Sequence, residues 1–331
     1  MDLPVGLVVA TVRPGEDADV ADAFRVVETY DRRVAGSTRS SLAAIRATLT
    51  GPDAHPALHR LVRDGAEPVG LLMVELDRHG REVFLDSFGL GPECDRIQRS
   101  LLEFGLESAR EVAAADPGSP DPSVDPFSLS ADRWQVVSSS HADDTRLAAT
   151  LDGLGFRLIR RFWRMIQEID TAEVVEPQAP PGVVRRVVEG PDDRRLLHAL
   201  FMESFAEHFG SSHDRPFDEW IAVVESLPGA DPGRWWLAEL DGDPVGVCIL
   251  DDSYIESNEC YVRTLGVVPS ARGRGIARWL LECARADSAR RGHTGVALSV
   301  DGDNTTGATA LYESVGYRTR EITDVWCLPL E

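Results

Sequence analysis

Four short matches recur in the same order along the 331 residues, and they constrain the fold more than any other feature of the chain. Ala66-Glu67-Pro68-Val69-Gly70-Leu71-Leu72 is echoed by Gly242-Asp243-Pro244-Val245-Gly246-Val247-Cys248, the prolines lying 176 residues apart. Gly89-Leu90-Gly91-Pro92 is echoed by Gly266-Val267-Val268-Pro269 at an offset of 177, and Arg99-Ser100-Leu101-Leu102-Glu103 by Arg278-Trp279-Leu280-Leu281-Glu282 at 179. Gly155-Phe156 is echoed by Gly316-Tyr317 at 161. Ordered similarity at a similar offset implies a repeated domain. Between the copies, Asp170 to Gly182 is polar and carries Pro177, Pro180 and Pro181, the composition of a linker. The expected organisation is a domain over residues 1–170, a linker over 171–182 and a second domain over 183–331.

Within the second copy, Thr264 to Leu281 reads as an apolar strand, a Gly/Arg turn and a helix. The first N–H groups of a helix lack partners and its dipole is positive there, so this turn is an anion site. Gly273 and Gly275 have no Cβ to keep phosphate oxygens from the main chain, and Arg272 and Arg274 add charge from the side. The turn spells neither Gly-x-x-x-x-Gly-Lys-Ser/Thr nor Gly-x-Gly-x-x-Gly, so a nucleotide-hydrolysing P-loop and a dinucleotide fold are both unsupported.

The remaining pattern gives an α+β reading. Strands are expected at Val183–Val188, Trp235–Leu240, Val245–Leu250, Glu259–Val267, Thr294–Val300, Tyr317–Arg320 and Thr323–Leu328, and helices at Arg195–Phe205, Phe217–Ser226, after the turn, and at Thr305–Ser314. A mixed, mostly antiparallel sheet flanked by helices follows, repeated in the first copy from Val5 to about Ile169.

Composition removes several function classes. A net charge of −21 leaves no basic face for nucleic acid. No run approaches 18 apolar residues, and Met1-Asp2-Leu3-Pro4 offers no basic flank before an apolar segment, so neither a membrane span nor a signal peptide is expected. Five cysteines at irregular spacing fit a reducing cytoplasm and show no metal-ligand pattern. All 34 basic residues are arginine, so no lysine can serve as a base.

Arg272-x-x-Gly275-x-Ala277 resembles the pyrophosphate loop of the GNAT acetyltransferase superfamily. Asn304, followed by Leu311-Tyr312-Glu313-x-x-Gly316-Tyr317, is similar to that family's second signature, with one residue more than the commonest spacing between Asn304 and Tyr312. The likeness runs from Val183 to about Leu328. It implies two tandem GNAT-like domains, acetyl-CoA as cosubstrate, no metal, and direct transfer of an acetyl group to the primary amine of a small molecule. A mycothiol precursor, a natural product or an antibiotic are the candidate acceptors, and tandem copies with one competent site resemble the mycothiol synthase family. The resemblance also implies a central strand that splays from its neighbour, often at a β-bulge. Leu265 N–H would polarise the thioester and Val267 would bond the pantetheine arm. The main chain of Arg272, Gly273, Arg274, Gly275, Ile276 and Ala277 would hold the pyrophosphate, and Asn304 would support cofactor binding. Tyr312 would protonate the leaving thiolate, its ordinary pKa being near that of a thiol.

The general base stays open. Glu259 lies six residues before Leu265, a spacing that puts both on one strand face; His208 and His213 lie in the loop after the first helix, and water can take the proton. In the first copy the loop becomes Glu93-Cys94-Asp95-Arg96-Ile97-Gln98, without glycine, and Leu151 stands where Tyr312 falls. That copy is expected to turn over no acetyl-CoA. A monomer or homodimer is expected. The rival function is a non-catalytic acyl-CoA-binding sensor or scaffold, which would bind the cofactor without turnover.

Overall fold

The computed structural model describes the chain except residues 39, 119–122, 128, 130–131, 171–174, 207–214, 303–306 and 331. The same succession of elements occurs twice. The first run is β1 (Leu7–Thr11), α1 (Asp17–Ala35), α2 (Leu42–Thr50), β2 (Arg60–Asp64), β3 (Glu67–Asp77), β4 (Glu82–Gly89), α3 (Cys94–Ala115), β5 (Gln135–His141), α4 (Thr145–Gly153) and β6 (Arg157–Glu168). The second is β7 (Val183–Val187), α5 (Gly190–Phe205), α6 (Phe217–Ser226), β8 (Trp235–Leu240), β9 (Asp243–Asp251), β10 (Glu259–Val267), α7 (Ile276–Arg290), β11 (Gly295–Asp301), α8 (Ala308–Ser314) and β12 (Arg318–Pro329). Four short matches at the level of residues thus become ten matching elements in order.

The chain forms two compact units. One comprises the described residues of 1–161 and 322–331, the other the described residues between Phe162 and Glu321. The last strand of each run is therefore divided: β6 gives Phe162–Glu168 to the second unit, and β12 gives Ile322 onward to the first. The expected pair of strands at Tyr317–Arg320 and Thr323–Leu328 is one continuous strand, because Glu321-Ile322 carries no turn residue to break it. In the second unit, the position alongside β11 is filled by Phe162–Glu168 of β6.

In the first unit the strand order is β1-β2-β3-β4-β5-β12. Only β4 and β5 pair in parallel there. Apolar side chains from β3, β4, α3 and α4 form one core, and α1 and α2 form another against Leu61, Leu71 and Met73.

In the second unit the order is β6-β11-β10-β9-β8-β7, antiparallel except for β10 with β11. Helix α7 forms because Ile276, Trp279, Leu280, Cys283 and Ala284 recur at helical spacing and are all buried. Helix α5 buries Leu197, Leu200 and Ser204 on one face. The stretch read as a linker is held along α7: Glu176 pairs with Arg290 at 2.5 Å, and Trp279 Nε1 donates to Pro177 O at 3.4 Å. All five cysteines are buried and free. Among the described residues no helix is long and apolar enough to cross a membrane, and no group of three His, Cys, Asp or Glu is placed to hold a metal.

Candidate functional site

Strands β10 and β11 are paired from Glu259 to Val262 against Gly295 to Leu298 and then part. The cause is local. Val262 lies opposite Leu250 and Thr264 opposite Ile249, so Arg263 is an extra residue on β10. Such a bulge bends its strand, while β11 stays with β6 as far as Asp301. The opening belongs to a cavity of about 490 Å³ lined by Val262, Leu265 and Val267 of β10, Leu298, Ser299 and Asp301 of β11, Tyr312 of α8, and Ser204 and Phe205 of α5.

The main chain of β10 aims polar groups into this gap. Val268 N–H donates to Val245 O at 3.0 Å. Because donor direction alternates along an antiparallel strand, the N–H groups of Val267 and Leu265 point away from β9, toward the opening.

The wide end of the gap meets the Gly/Arg turn. Gly273 and Gly275 both adopt positive φ, 76° and 80°, which favours residues without a Cβ. Gly275 caps α7 without any side-chain bond. The first helical bond runs from Trp279 N–H to Gly275 O, and among the described residues nothing accepts from the N–H groups of Gly273 through Arg278. Arg272 departs from expectation. Its N–H closes a turn onto Pro269 O at 3.3 Å, and its guanidinium donates to Val267 O and Ser204 O, each at 3.2 Å. It braces the loop against β10 and α5 rather than offering its N–H to an anion. Arg274 is exposed and has no ion-pair partner among the described residues, while Arg278 donates to Ser314 Oγ at 2.8 Å.

Tyr312 is half-buried against the lining, with its ring 6.1 Å from that of Tyr317. Among the described residues its hydroxyl makes no hydrogen bond. Burial pushes the phenol up to about 12, well above the thiol-like value expected of a solvated tyrosine. It is therefore a neutral donor throughout the working range.

Glu259 requires a correction. The bulge lies between it and Leu265, so the even spacing no longer keeps them on one face. Glu259 is 5% exposed, outside the cavity lining, and ion-paired with Arg164 of β6. Arg164 also reaches Glu321 at 3.3 Å and stacks its guanidinium 4.0 Å from the Tyr254 ring centre. Burial raises the Glu259 carboxyl above its ordinary range, against the pull of Arg164. His208, His213 and Asn304 lie outside the described residues.

Sequence patterns missed Arg164, Phe162 and Ser204. Arg164 and Phe162 reach this unit on a strand read as part of the first domain. Ser204 occupies a core-facing position of α5, after Leu197 and Leu200. A polar residue at an apolar position was the available signal.

A free cluster of N–H groups at a helix start, a strand gap with unpaired main-chain donors, and a neutral phenol together suit a ligand with an anionic head and an extended, amide-bearing arm. Residues 195–317 match the Acetyltransferase (GNAT) family. The chain is 34% identical over 172 residues to a mycothiol acetyltransferase of Streptomyces avermitilis, covering 51% of this chain and 53% of that protein. It is 32% identical over 194 residues to one of Streptomyces griseus, covering 57% and 60%. It thus spans between half and two thirds of the length of these curated relatives. Among solved structures, a GCN5-related N-acetyltransferase from Sphaerobacter thermophilus superposes with a TM-score of 0.78 at 22% identity, covering 99% of this chain and 96% of that one. A tandem GNAT protein from the clavulanic acid biosynthesis pathway gives 0.68 at 15% identity, covering 98% of both. The fold is that of GNAT acetyltransferases.

Proposed function

We propose that this chain is an acetyl-CoA-dependent N-acetyltransferase that moves an acetyl group directly from the thioester to the primary amine of a small molecule. The observation that carries the reading is the junction of the β10/β11 gap with the unpartnered N–H groups of Gly273 to Arg278. The diphosphate sits on those N–H groups, with Arg274 beside it, and Asn304 is kept as a further contact from the sequence motif. The pantetheine arm lies in the gap along Val267.

Leu265 N–H hydrogen-bonds the thioester oxygen. As the neutral amine attacks, that oxygen gains negative charge, and one such donor is worth on the order of 10²-fold or more in rate. The adduct collapses by breaking the C–S bond; the electron pair leaves on sulfur, and Tyr312 supplies the hydrogen bond or proton that stabilises the thiolate. The ammonium proton passes to water or to His208. Glu259 has no part in this step, being on the opposite face and tied to Arg164. Holding both reactants in line supplies much of the remaining acceleration.

The acceptor class is a small amine, with the precursor of mycothiol as the first candidate because of the relatives' names and with natural-product or antibiotic amines beside it. The first unit is a second GNAT-like copy that has lost its site and serves as scaffold. A thiol-release assay with acetyl-CoA against a panel of amines tests the reading. Amine-dependent release, one acetyl transferred per thiol, is expected. Tight cofactor binding with no amine-dependent release would instead identify a non-catalytic acyl-CoA binder.

A further inference from the structure

Ser204 is 3% exposed, lines the cleft, and its hydroxyl has no hydrogen-bond partner among the described residues. A buried hydroxyl left unpaired costs free energy. Its location is defined by Gly266: a Cβ built on that glycine would lie 3.0 Å from Ser204 Oγ and 2.7 Å from Ser204 Cβ. The hydroxyl therefore stands over the residue between Leu265 and Val267, the two whose N–H groups point into the gap. Its position is fixed from behind, because Ser204 O accepts from Arg272 at 3.2 Å.

We infer that Ser204 Oγ is a hydrogen-bonding group for the thioester end of the pantetheine arm, left without a partner in the free protein and satisfied when the cofactor enters. This rests on the acetyl-CoA reading above. The hydroxyl adds a third contact, from the α5 side, to the two main-chain donors of β10. It positions the arm and takes no proton in the reaction.

The inference makes two effects of one substitution run in opposite directions. Ser204→Ala removes an unpaired buried hydroxyl, so the free protein should melt at the same temperature or higher. The same change removes a contact in the complex, so acetyl-CoA and CoA should both bind about tenfold more weakly. Thermal melts of wild type and Ser204→Ala, with and without each ligand, read both effects, and Ser204→Thr should keep most of the affinity. A Ser204→Ala protein that is less stable without ligand and equally responsive to cofactor would make the hydroxyl structural and overturn the inference. So would unchanged cofactor affinity with a raised acceptor KM, which would hand the hydroxyl to the acceptor. If wild type itself shows no shift with acetyl-CoA, the acetyl-CoA reading fails, an outcome visible before any variant is compared.

Discussion

Gly266→Ala is the sharpest perturbation of the way α5 is seated on β10. The added Cβ would lie 2.7 Å from Ser204 Cβ and 3.0 Å from both Ser204 Oγ and Phe205 Cε2. Carbon atoms rest about 3.5–4.0 Å apart, so the helix end must withdraw by roughly 0.8 Å or more. Rotation of a side chain cannot relieve the closest contact, because Ser204 Cβ is fixed to the helix backbone. Arg272 donates to Ser204 O at 3.2 Å, and the same withdrawal carries that bond past useful length. Overpacking of this kind costs about 1–3 kcal/mol, and a lost hydrogen bond to a charged group about 1.5 kcal/mol or more. Together they predict about 2.5–4.5 kcal/mol, a drop in urea midpoint of about 1.2–2.2 M at a slope near 2 kcal/mol/M. Cofactor affinity should fall as well, since Leu265 and Val267 flank the altered residue. Ser204→Gly removes two of the three nearest obstructing atoms, the closest included, so in a double-mutant cycle it should offset more than 1 kcal/mol of the Gly266→Ala loss despite its own helix-propensity cost of about 1 kcal/mol. Equal midpoints for Gly266→Ala and wild type, or no coupling between the two sites, would refute the close seating of α5 on β10.

Replacing Tyr312 by Phe should leave acetyl-CoA binding in place and lower kcat about tenfold or more. Because burial holds the phenol near 12, it stays protonated as pH rises, so wild-type kcat/KM should show no falling limb from this group below about pH 11; a limb near pH 9 that disappears in Tyr312→Phe would contradict the assignment. Glu259→Gln should retain activity within about threefold, as its position off the cleft requires. The raised Glu259 carboxyl means the folded state holds that proton more firmly than the unfolded chain, so native stability declines as pH rises from the ordinary carboxylate value through the raised one. Urea midpoints of Glu259→Gln against wild type should accordingly move in favour of Gln from pH 5 to pH 8, and a shift in the other direction would reverse the sign of the argument. Calorimetric titration should find a single acetyl-CoA equivalent per chain; a second at micromolar affinity would show that the first unit keeps a working site.

What was legible in the sequence is what local chemistry decides. The Gly273/Gly275 turn announces itself because positive φ is needed there, and the strand before it and the helix after it fall at Glu259–Val267 and Ile276–Arg290. Phe217–Ser226 and Trp235–Leu240 likewise follow from periodicity alone. What escaped depends on partners distant in sequence. Arg164 is 95 residues from Glu259, and no spacing rule links them. The bulge at Arg263 has no residue signature, yet it reverses the face on which Glu259 lies and so removes the reason for choosing it as a base. Arg272 looked like a phosphate ligand because charge in a Gly-rich turn usually is one; its guanidinium is instead taken by two carbonyls that only the folded chain brings within reach. Ser204 reads as one polar residue on an amphipathic helix until Gly266 is seen beneath it.

The first unit repeats the succession of elements of the second with different side chains beside its parallel strand pair. Its β4 and β5 pair in parallel from Glu82 to Phe84 against Gln135 to Val137, the counterpart of the β10/β11 pairing. That pairing is one step shorter than the pairing of β10 with β11, and Ser138 Oγ, next along β5, donates to Leu85 O at 2.7 Å. Gln98 Nε2 donates to Ser87 O at 3.2 Å, and the α3 start is so close that a Cβ on Gly89 would meet Cys94 O at 2.5 Å. Leu151, in the place of the phenol, is fully buried in the core. Main-chain groups inside a protein must be bonded to something. In the second unit the N–H groups of Leu265 and Val267 face the cavity while Val267 O accepts from Arg272; in the first, the chain's own serine and glutamine donate to carbonyls of β4.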